Sequence, residues 1–115
     1  KTLIVKPRFI NYKESKAVSL ITGNSGEITN MGDEITIMEN VTLVRLPNKT
    51  KKKMTLYTNE LNIIPSKDIV FSRKPVKIVQ EPNIEIDGIG MQYDKKENTI
   101  KLLRDVKVLY ENIQN

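Results

Sequence analysis

The side chains that most often perform acid-base or nucleophilic chemistry are scarce in this sequence of 115 residues, which contains no histidine and no cysteine. Their absence removes the usual general base near neutral pH, the thiolate nucleophile and every zinc site built from His or Cys. The carboxylates are dispersed: Asp33 and Glu34 fall in a turn pattern, Glu85 and Asp87 on one face of a strand pattern, and Glu97 in a loop pattern. Paired acids can hydrolyse glycosides, but a chain with no Trp, four Tyr and two Phe supplies no aromatic sugar platform. We expect a protein that is not an enzyme and uses no cofactor or metal.

The basic residues suggest binding chemistry. Nineteen Lys+Arg against 14 Asp+Glu give a net charge of +5, which favours an anionic partner but is also common on solvated surfaces. The densest cluster, Lys49 to Lys53, lies between two strand patterns, so it is predicted to be a hairpin loop that either contacts phosphate or protects strand edges. Single-strand nucleic-acid binders stack bases on several exposed rings, and the six aromatic residues here are widely separated. Nucleic acid is therefore not an expected partner.

Two glycines, Gly88 and Gly90, stand in the segment Ile86–Met91 and superficially match the start of a nucleotide-binding fingerprint. The third glycine, the following helix and the βαβ setting of that fingerprint are absent. Glycine inside a strand pattern more often marks a bulge, a sharp bend or a close approach of the backbone. We expect a structural role for both.

The elements that must position these residues are predicted to be strands almost throughout. Runs rich in Val, Ile, Thr and Leu alternate with polar residues at a period of two, and no window keeps a helical apolar period over three turns. Strands of about five residues with frequent turns indicate an all-β sandwich or barrel-like fold. The predicted strands are 35–37, 41–44, 61–63, 76–79, 84–86, 100–102 and 106–108.

An internal repeat gives the strands an order. Residues 26–44, 61–79 and 90–108 each read as strand, polar turn, strand and a short polar corner, followed by a valine that opens another strand: Val41, Val76 or Val106. Repeats that stack in sequence predict a long, trough-like pair of antiparallel sheets, which we expect to form one domain over residues 1–115. The aliphatic inner faces of such a trough either close into a packed core or stay apart and hold acyl chains.

The last strand pattern, Asp105 to Glu111, contains no proline or glycine and has apolar residues on both faces. An unpaired terminal strand offers free N–H and C=O groups to another chain. It is either available for strand addition or protected by the trailing residues Asn112 to Asn115.

Four motifs in order complete a resemblance to a known family: residues 56–61 (LYTNEL), 75–78 (PVKI), 86–91 (IDGIGM) and 105–111 (DVKVLYE). Over nearly the whole chain, the sequence resembles the LptC family of lipopolysaccharide-export proteins. The resemblance implies a β-jellyroll of stacked antiparallel strands with a V-shaped hydrophobic groove. It implies a location on the periplasmic side of the Gram-negative inner membrane, where the acyl chains of lipopolysaccharide pass through the groove.

The resemblance also implies partners. Family members carry one N-terminal transmembrane helix and further first strands, and this sequence opens at Lys1 in mid-pattern, so we expect a membrane anchor in a segment absent here. The N-terminal end of the family docks on the LptF/LptG permease with its LptB ATPase, and the C-terminal strand passes lipid to LptA. A purely structural adaptor that only joins neighbouring jellyrolls by their edges is the alternative.

Residue by residue, the resemblance implies that Tyr110 and Ile100 line the groove, that Val5 is inward on the first strand, and that Gly88 or Gly90 is the glycine needed for folding and assembly. Strand parity adds Leu102, Val106 and Val108 to the groove face. The strand expected to contact LptA comprises Asp105, Val106, Lys107, Val108, Leu109, Tyr110 and Glu111.

Overall fold

The computed structural model describes residues 1–29 and 31–110, so the contact expected for Glu111 lies outside the described residues. The described chain forms strands and one short 3-10 helix, Pro65–Lys67. The strands are β1 Thr2–Val5, β2 Arg8–Lys13, β3 Lys16–Thr22, β4 Ser25–Ile28, β5 Ile35–Arg45, β6 Met54–Ile64, β7 Ile69–Gln80, β8 Ile84–Asp94 and β9 Thr99–Tyr110.

The strands form one antiparallel meander that is folded along a line of bends. From β5 to β9 each strand pairs with the next, whereas β1 pairs with β4 and β2 with β3. Consecutive strands β1 and β2 therefore act as one bent strand that is interrupted at Lys6–Pro7. In the same way β3 and β4 act as one bent strand that is interrupted at Gly23–Asn24. One half of β5 pairs with β4 and the other half with β3. This branching separates the sheet into two halves that meet at the bends.

We call these halves half-sheet A and half-sheet B. Half-sheet A contains β1, β4 and the paired segments 35–38, 60–63, 69–72, 91–94 and 99–102. Half-sheet B contains β2, β3 and the paired segments 41–45, 54–58, 75–80, 84–89 and 104–110.

Irregular pairing bends the strands without ending them. The ladder of β5 shifts register between Met38 and Val41, and two residues with positive φ, Glu39 and Asn40, occupy the shift. Bulges of this kind bend a strand while the ladder continues on both sides. The prediction of strands of about five residues is therefore wrong: β5 to β9 have 11 or 12 residues each.

The repeat itself is confirmed. Val41, Val76 and Val106 each lie just after the bend of β5, β7 or β9, where the second half of the strand begins. The all-β fold of stacked, bent antiparallel strands predicted from the sequence is also confirmed.

The hydrophobic core lies between the two half-sheets. Its members come from both halves and are almost inaccessible to solvent, so the centre of the trough is packed shut. Burial of each such side chain stabilises the fold by about 1.5–3 kcal/mol relative to exposure. Half-sheet A contributes Ile37, Leu61, Ile63, Val70, Met91 and Tyr93, and half-sheet B contributes Ile21, Val41, Leu43, Met54, Leu56, Val76 and Ile78.

Candidate functional site

The inner face of half-sheet B becomes progressively more exposed toward β9. Cross-strand pairing aligns one row of aliphatic side chains across this face, in the order Ile21, Leu43, Leu56, Ile78, Ile86 and Val108. The first four are buried and Ile86 is half-buried, whereas Val108 is 60% exposed. The core therefore ends before the sheet does, and an apolar inner surface is open at the β9 end.

Half-sheet A contributes two β9 side chains, Ile100 and Leu102, to the inner surface at the β9 end of the trough. Ile100 pairs with the buried Tyr93, and Leu102 pairs with the buried Met91. Both β9 side chains are half-buried and pack against the core cluster. The register thus places Ile100 and Leu102 on the inner face, as the sequence predicted.

The second half of β9 continues the inner face. Val108 pairs with Ile86 and Tyr110 with Ile84, and Val106 shares their parity within the strand. Val106 and Tyr110 are exposed. Together with Val108 they extend the apolar surface beyond the packed core.

Val5 is not inward, and here the prediction is corrected. It pairs with Ser25 and is 82% exposed. The inward row of β1 is that of Ile4, which pairs with Gly26 beside the buried Ile37. The residue after Val5, Lys6, has a positive φ, and the following Pro7 is buried, so the backbone bends between Val5 and Pro7 and the two side chains do not share a face.

One free edge of the sheet is β9, at the end remote from β1 and β2. Within the described chain β9 pairs only with β8, so its other edge carries no ladder. The strand also holds a concentration of exposed apolar side chains: Leu103, Val106, Val108, Leu109 and Tyr110. A long apolar strand with one unpaired edge is suited to strand addition by a partner.

The two glycines of β8 occupy the bend and differ in their backbone requirements. Gly90 has φ +80°, and a Cβ at this position would lie 3.0 Å from Leu103 Cδ1. A Cβ on Gly88 would meet Leu102 Cδ1 at an ordinary 3.4 Å. The backbone therefore requires glycine at position 90 far more strictly than at position 88.

At the end of the trough remote from the bends, a polar contact network joins two loops, and the sequence did not predict it. The phenol of the fully buried Tyr93 donates a 2.6 Å hydrogen bond to Asn98 Oδ1. Lys51 Nζ in turn donates to the backbone oxygens of Asn98, at 2.7 Å, and of Glu97, at 3.2 Å. The segment 46–53 contains the predicted hairpin loop, Lys49 to Lys53, and Lys51 binds it to the β8–β9 turn.

Burial raises the pKa of the Tyr93 phenol above its usual value of 10.0, while hydrogen bonds with Ser19 and Asn11 act in the opposite direction. Below about pH 10 the folded and unfolded chains both keep this proton, so stability is independent of it. Above that pH the unfolded chain loses the proton first, and stability falls until pH exceeds the raised folded-state pKa.

We expect the substitution Tyr93→Phe to remove this fall in stability at alkaline pH. The free energy of unfolding of the variant should be about 1 kcal/mol lower than that of wild type near pH 7, because Asn98 loses its hydrogen bond. This difference in free energy should become smaller above pH 10. Urea unfolding at pH 7 to 11 measures both effects, with Tyr57→Phe at an exposed tyrosine as the control. A gap that stays constant with pH would contradict the assignment.

A surface cavity of about 510 Å³ lies on the outer face of half-sheet B at the bends. Its lining includes Thr42, Tyr57 and Lys77, which form a cross-strand row on the face opposite Leu43, Leu56 and Ile78. The cavity arises where the ladders are interrupted.

Within residues 1–29 and 31–110, no cluster of three or more carboxylates is arranged to hold a metal ion. The same part of the chain contains no helix that is long and apolar enough to cross a membrane.

Comparison with known proteins identifies the family. The sequence profile described as "Lipopolysaccharide-assembly, LptC-related" matches residues 1–111. The chain belongs to the LptC family. Membership gives this LptC-family domain a role in lipopolysaccharide transport, as a periplasmic domain. No curated protein matches the sequence.

A solved structure supports the fold. LptH from Pseudomonas aeruginosa, described as the LptA-homologous periplasmic component of the lipopolysaccharide transport device, aligns with a TM-score of 0.64 and 12% identity. The alignment covers 96% of this chain and 94% of LptH. The LptC-family domain is thus similar in fold to a β-jellyroll of the LptA type.

Proposed function

We propose that this LptC-family domain binds the acyl chains of lipopolysaccharide and passes them from the LptB/LptF/LptG transporter toward LptA. The observation that carries the proposal is the apolar inner surface of β9, which extends the core of the trough into solvent at Val106, Val108 and Tyr110. Each methylene buried on this surface contributes about 0.8 kcal/mol, so several acyl carbons suffice for binding.

The free edge of β9 supports the second half of the proposal. A partner strand added to this edge would continue half-sheets A and B, and its inner face would continue the apolar surface. LptA is the partner we propose for this edge, while the opposite end of the sheet, where β1 and β2 lie, faces the transporter. Lipid would then move along the inner faces without leaving an apolar surface.

The packed centre favours a second candidate, the adaptor that joins jellyrolls only by their edges. Ile37, Leu43, Leu56 and Leu61 are fully buried, and an adaptor needs nothing more than such a core and its edges. The carrier must admit lipid at the β9 end or part the half-sheets there.

Photocrosslinking separates the two candidates. A benzophenone side chain at Tyr110 faces the inner surface, and the same probe at Tyr57 on the outer face is the control. We expect labelled lipopolysaccharide to crosslink at position 110 and not at position 57. If lipopolysaccharide crosslinks at neither position while the domain still binds LptA, the carrier proposal is wrong and the adaptor is the function that remains.

A further inference from the structure

The net charge of this chain is concentrated in three loops. Residues 13–16, 46–53 and 94–98 together contain eight lysines and three acidic residues, so they carry the whole net charge of +5 and the rest of the sequence is balanced. We call these loops the basic rim. The fold does not require the lysines to be concentrated in these loops, since lysine side chains are equally well solvated on the outer faces of the strands.

Tertiary contacts bring the basic rim together. Lys51 binds the backbone of the β8–β9 turn through the oxygens of Glu97 and Asn98. Lys13, at the β2–β3 turn, donates a 3.0 Å hydrogen bond to the backbone oxygen of Lys96. Three loops that are distant in sequence therefore form one cationic surface.

Little of this charge is neutralised. Among the described residues, the only ion pair formed by a lysine of the rim joins Lys95 to Asp68 at 4.0 Å. Lys51 and Lys13 donate to backbone oxygens, which carry no full charge. The rim thus presents a positive potential that attracts anions over about 8–10 Å at physiological ionic strength.

Two neighbouring cavities lie at the basic rim and differ in the residue types that line them. The outer one, of about 220 Å³, is lined by Lys13, Lys95 and Lys96 together with Asn11, Tyr12 and Asp68. The inner one, of about 100 Å³, lies between the half-sheets and is lined mainly by Phe9, Ile10, Ile21, Ile63 and Val70. Asn11 and Lys95 line both cavities.

This combination fits an anionic amphiphile. The inner cavity, of about 100 Å³, is smaller than the engineered apolar cavity of about 150 Å³ that admits benzene, so it has room only for the last few carbons of an alkyl chain. Three lysines line the outer cavity, and ammonium groups bind phosphate oxygens through charge-assisted hydrogen bonds. A ligand that filled both cavities would have an acyl group next to a phosphate.

We propose that the basic rim binds the phosphate groups of a phosphorylated, acylated lipid whose chain enters between half-sheets A and B. The inference rests on the proposed function and deepens it: the rim recognises the charged headgroup, while the trough holds the chains. Lipid is then held at two places, by charge at the rim and by apolar contact at β9.

The test compares two lipids that differ only in phosphate. Binding of diphosphorylated lipid A and of its dephosphorylated form, with identical acyl chains, is measured for wild type and for Lys95→Gln/Lys96→Gln. The matched control is Lys74→Gln/Lys101→Gln, which removes the same charge from exposed positions outside the rim. We expect the rim variant to bind the diphosphorylated lipid about tenfold more weakly, from two ion pairs of about 0.7 kcal/mol each, and the dephosphorylated lipid unchanged.

Each outcome has a defined meaning. Equal losses in the rim and control variants, or equal binding of the two lipids by wild type, would overturn the phosphate site and leave the carrier intact. If wild type binds neither lipid, the proposed carrier function fails, and the phosphate site fails with it. Phosphatidylglycerol as competitor identifies the source: displacement of lipid A only by lipid A assigns the site to the cargo, and displacement by phosphatidylglycerol assigns it to membrane phospholipid.

Discussion

Replacement of Val108 by aspartate is expected to lower lipopolysaccharide crosslinking at Tyr110 by at least about tenfold while the domain stays folded. Val108 is 60% exposed, so a carboxylate there is hydrated in the protein without bound lipid and destabilises the fold by about 1 kcal/mol, the penalty of a poor strand former. An acyl chain on the inner face would bury that carboxylate without a partner, and this costs well over 1.4 kcal/mol.

The chain offers a closely matched control at the adjacent position. Leu109 is 58% exposed, belongs to the same strand and points to the opposite face, where it pairs with Glu85. Leu109→Asp should therefore leave lipid crosslinking unchanged, although it destabilises the domain somewhat more than Val108→Asp because the new carboxylate faces Glu85 across the ladder. Similar crosslinking losses in both variants would show that the face of the sheet is irrelevant and would contradict a lipid path along the inner surface.

A charge at Ile100 is a poor alternative to the Val108 variant. Ile100 pairs with the buried Tyr93 and packs against the core cluster, so an acid there destabilises the fold itself. Loss of crosslinking in such a variant would report unfolding as much as lost binding.

Gly90→Ala is expected to destabilise the domain by about 2–4 kcal/mol. An L-residue at the observed φ of +80° costs about 1–2 kcal/mol, and the new Cβ would press on Leu103 Cδ1 at 3.0 Å. The strain falls at the bend of β8, which connects the two half-sheets. The midpoint of urea unfolding should fall accordingly, with an unchanged slope.

Gly88→Ala is the matched control, two residues away in the same strand. Its Cβ would meet Leu102 Cδ1 at 3.4 Å, an ordinary contact, and the residue has no positive φ. Since alanine is also less flexible than glycine in the unfolded chain, we expect a change within about 1 kcal/mol. If Gly88→Ala proved the more damaging change, the bend would not be the reason for glycine in this segment.

Local pattern predicted a large part of this protein. Alternation of apolar and polar residues depends on the two faces of a strand, so it was sufficient to place Ile100, Leu102 and Val108 on the inner face. The valines at 41, 76 and 106 marked the repeat because each begins the second half of a bent strand just after the bend. The family followed from motifs of contiguous residues, which are readable without any structure.

A position carried over from the family resemblance was wrong on the first strand. The resemblance implied that Val5 is inward, whereas Val5 pairs with Ser25 and is 82% exposed. The predicted strands also ended at their bends, because the short polar corners before the valines indicated a break between two strands. In the structure Glu39, Asn40 and Asp105 lie in these corners and bend the strand at positive φ without ending it. A bulge shifts every following side chain, and the sequence does not show whether a polar pair bulges or ends a strand.

By itself, the sequence determined the all-β class, the repeat, the alternating faces and the family, since all of these are properties of neighbouring residues. The tertiary structure alone decided that the trough is packed at its centre and open at β9, because exposure depends on how far one half-sheet extends past the other. It also decided that Lys13, Lys51 and Lys96 meet at one rim. These loops are up to 83 residues apart, and only folding along the line of bends brings their charges together.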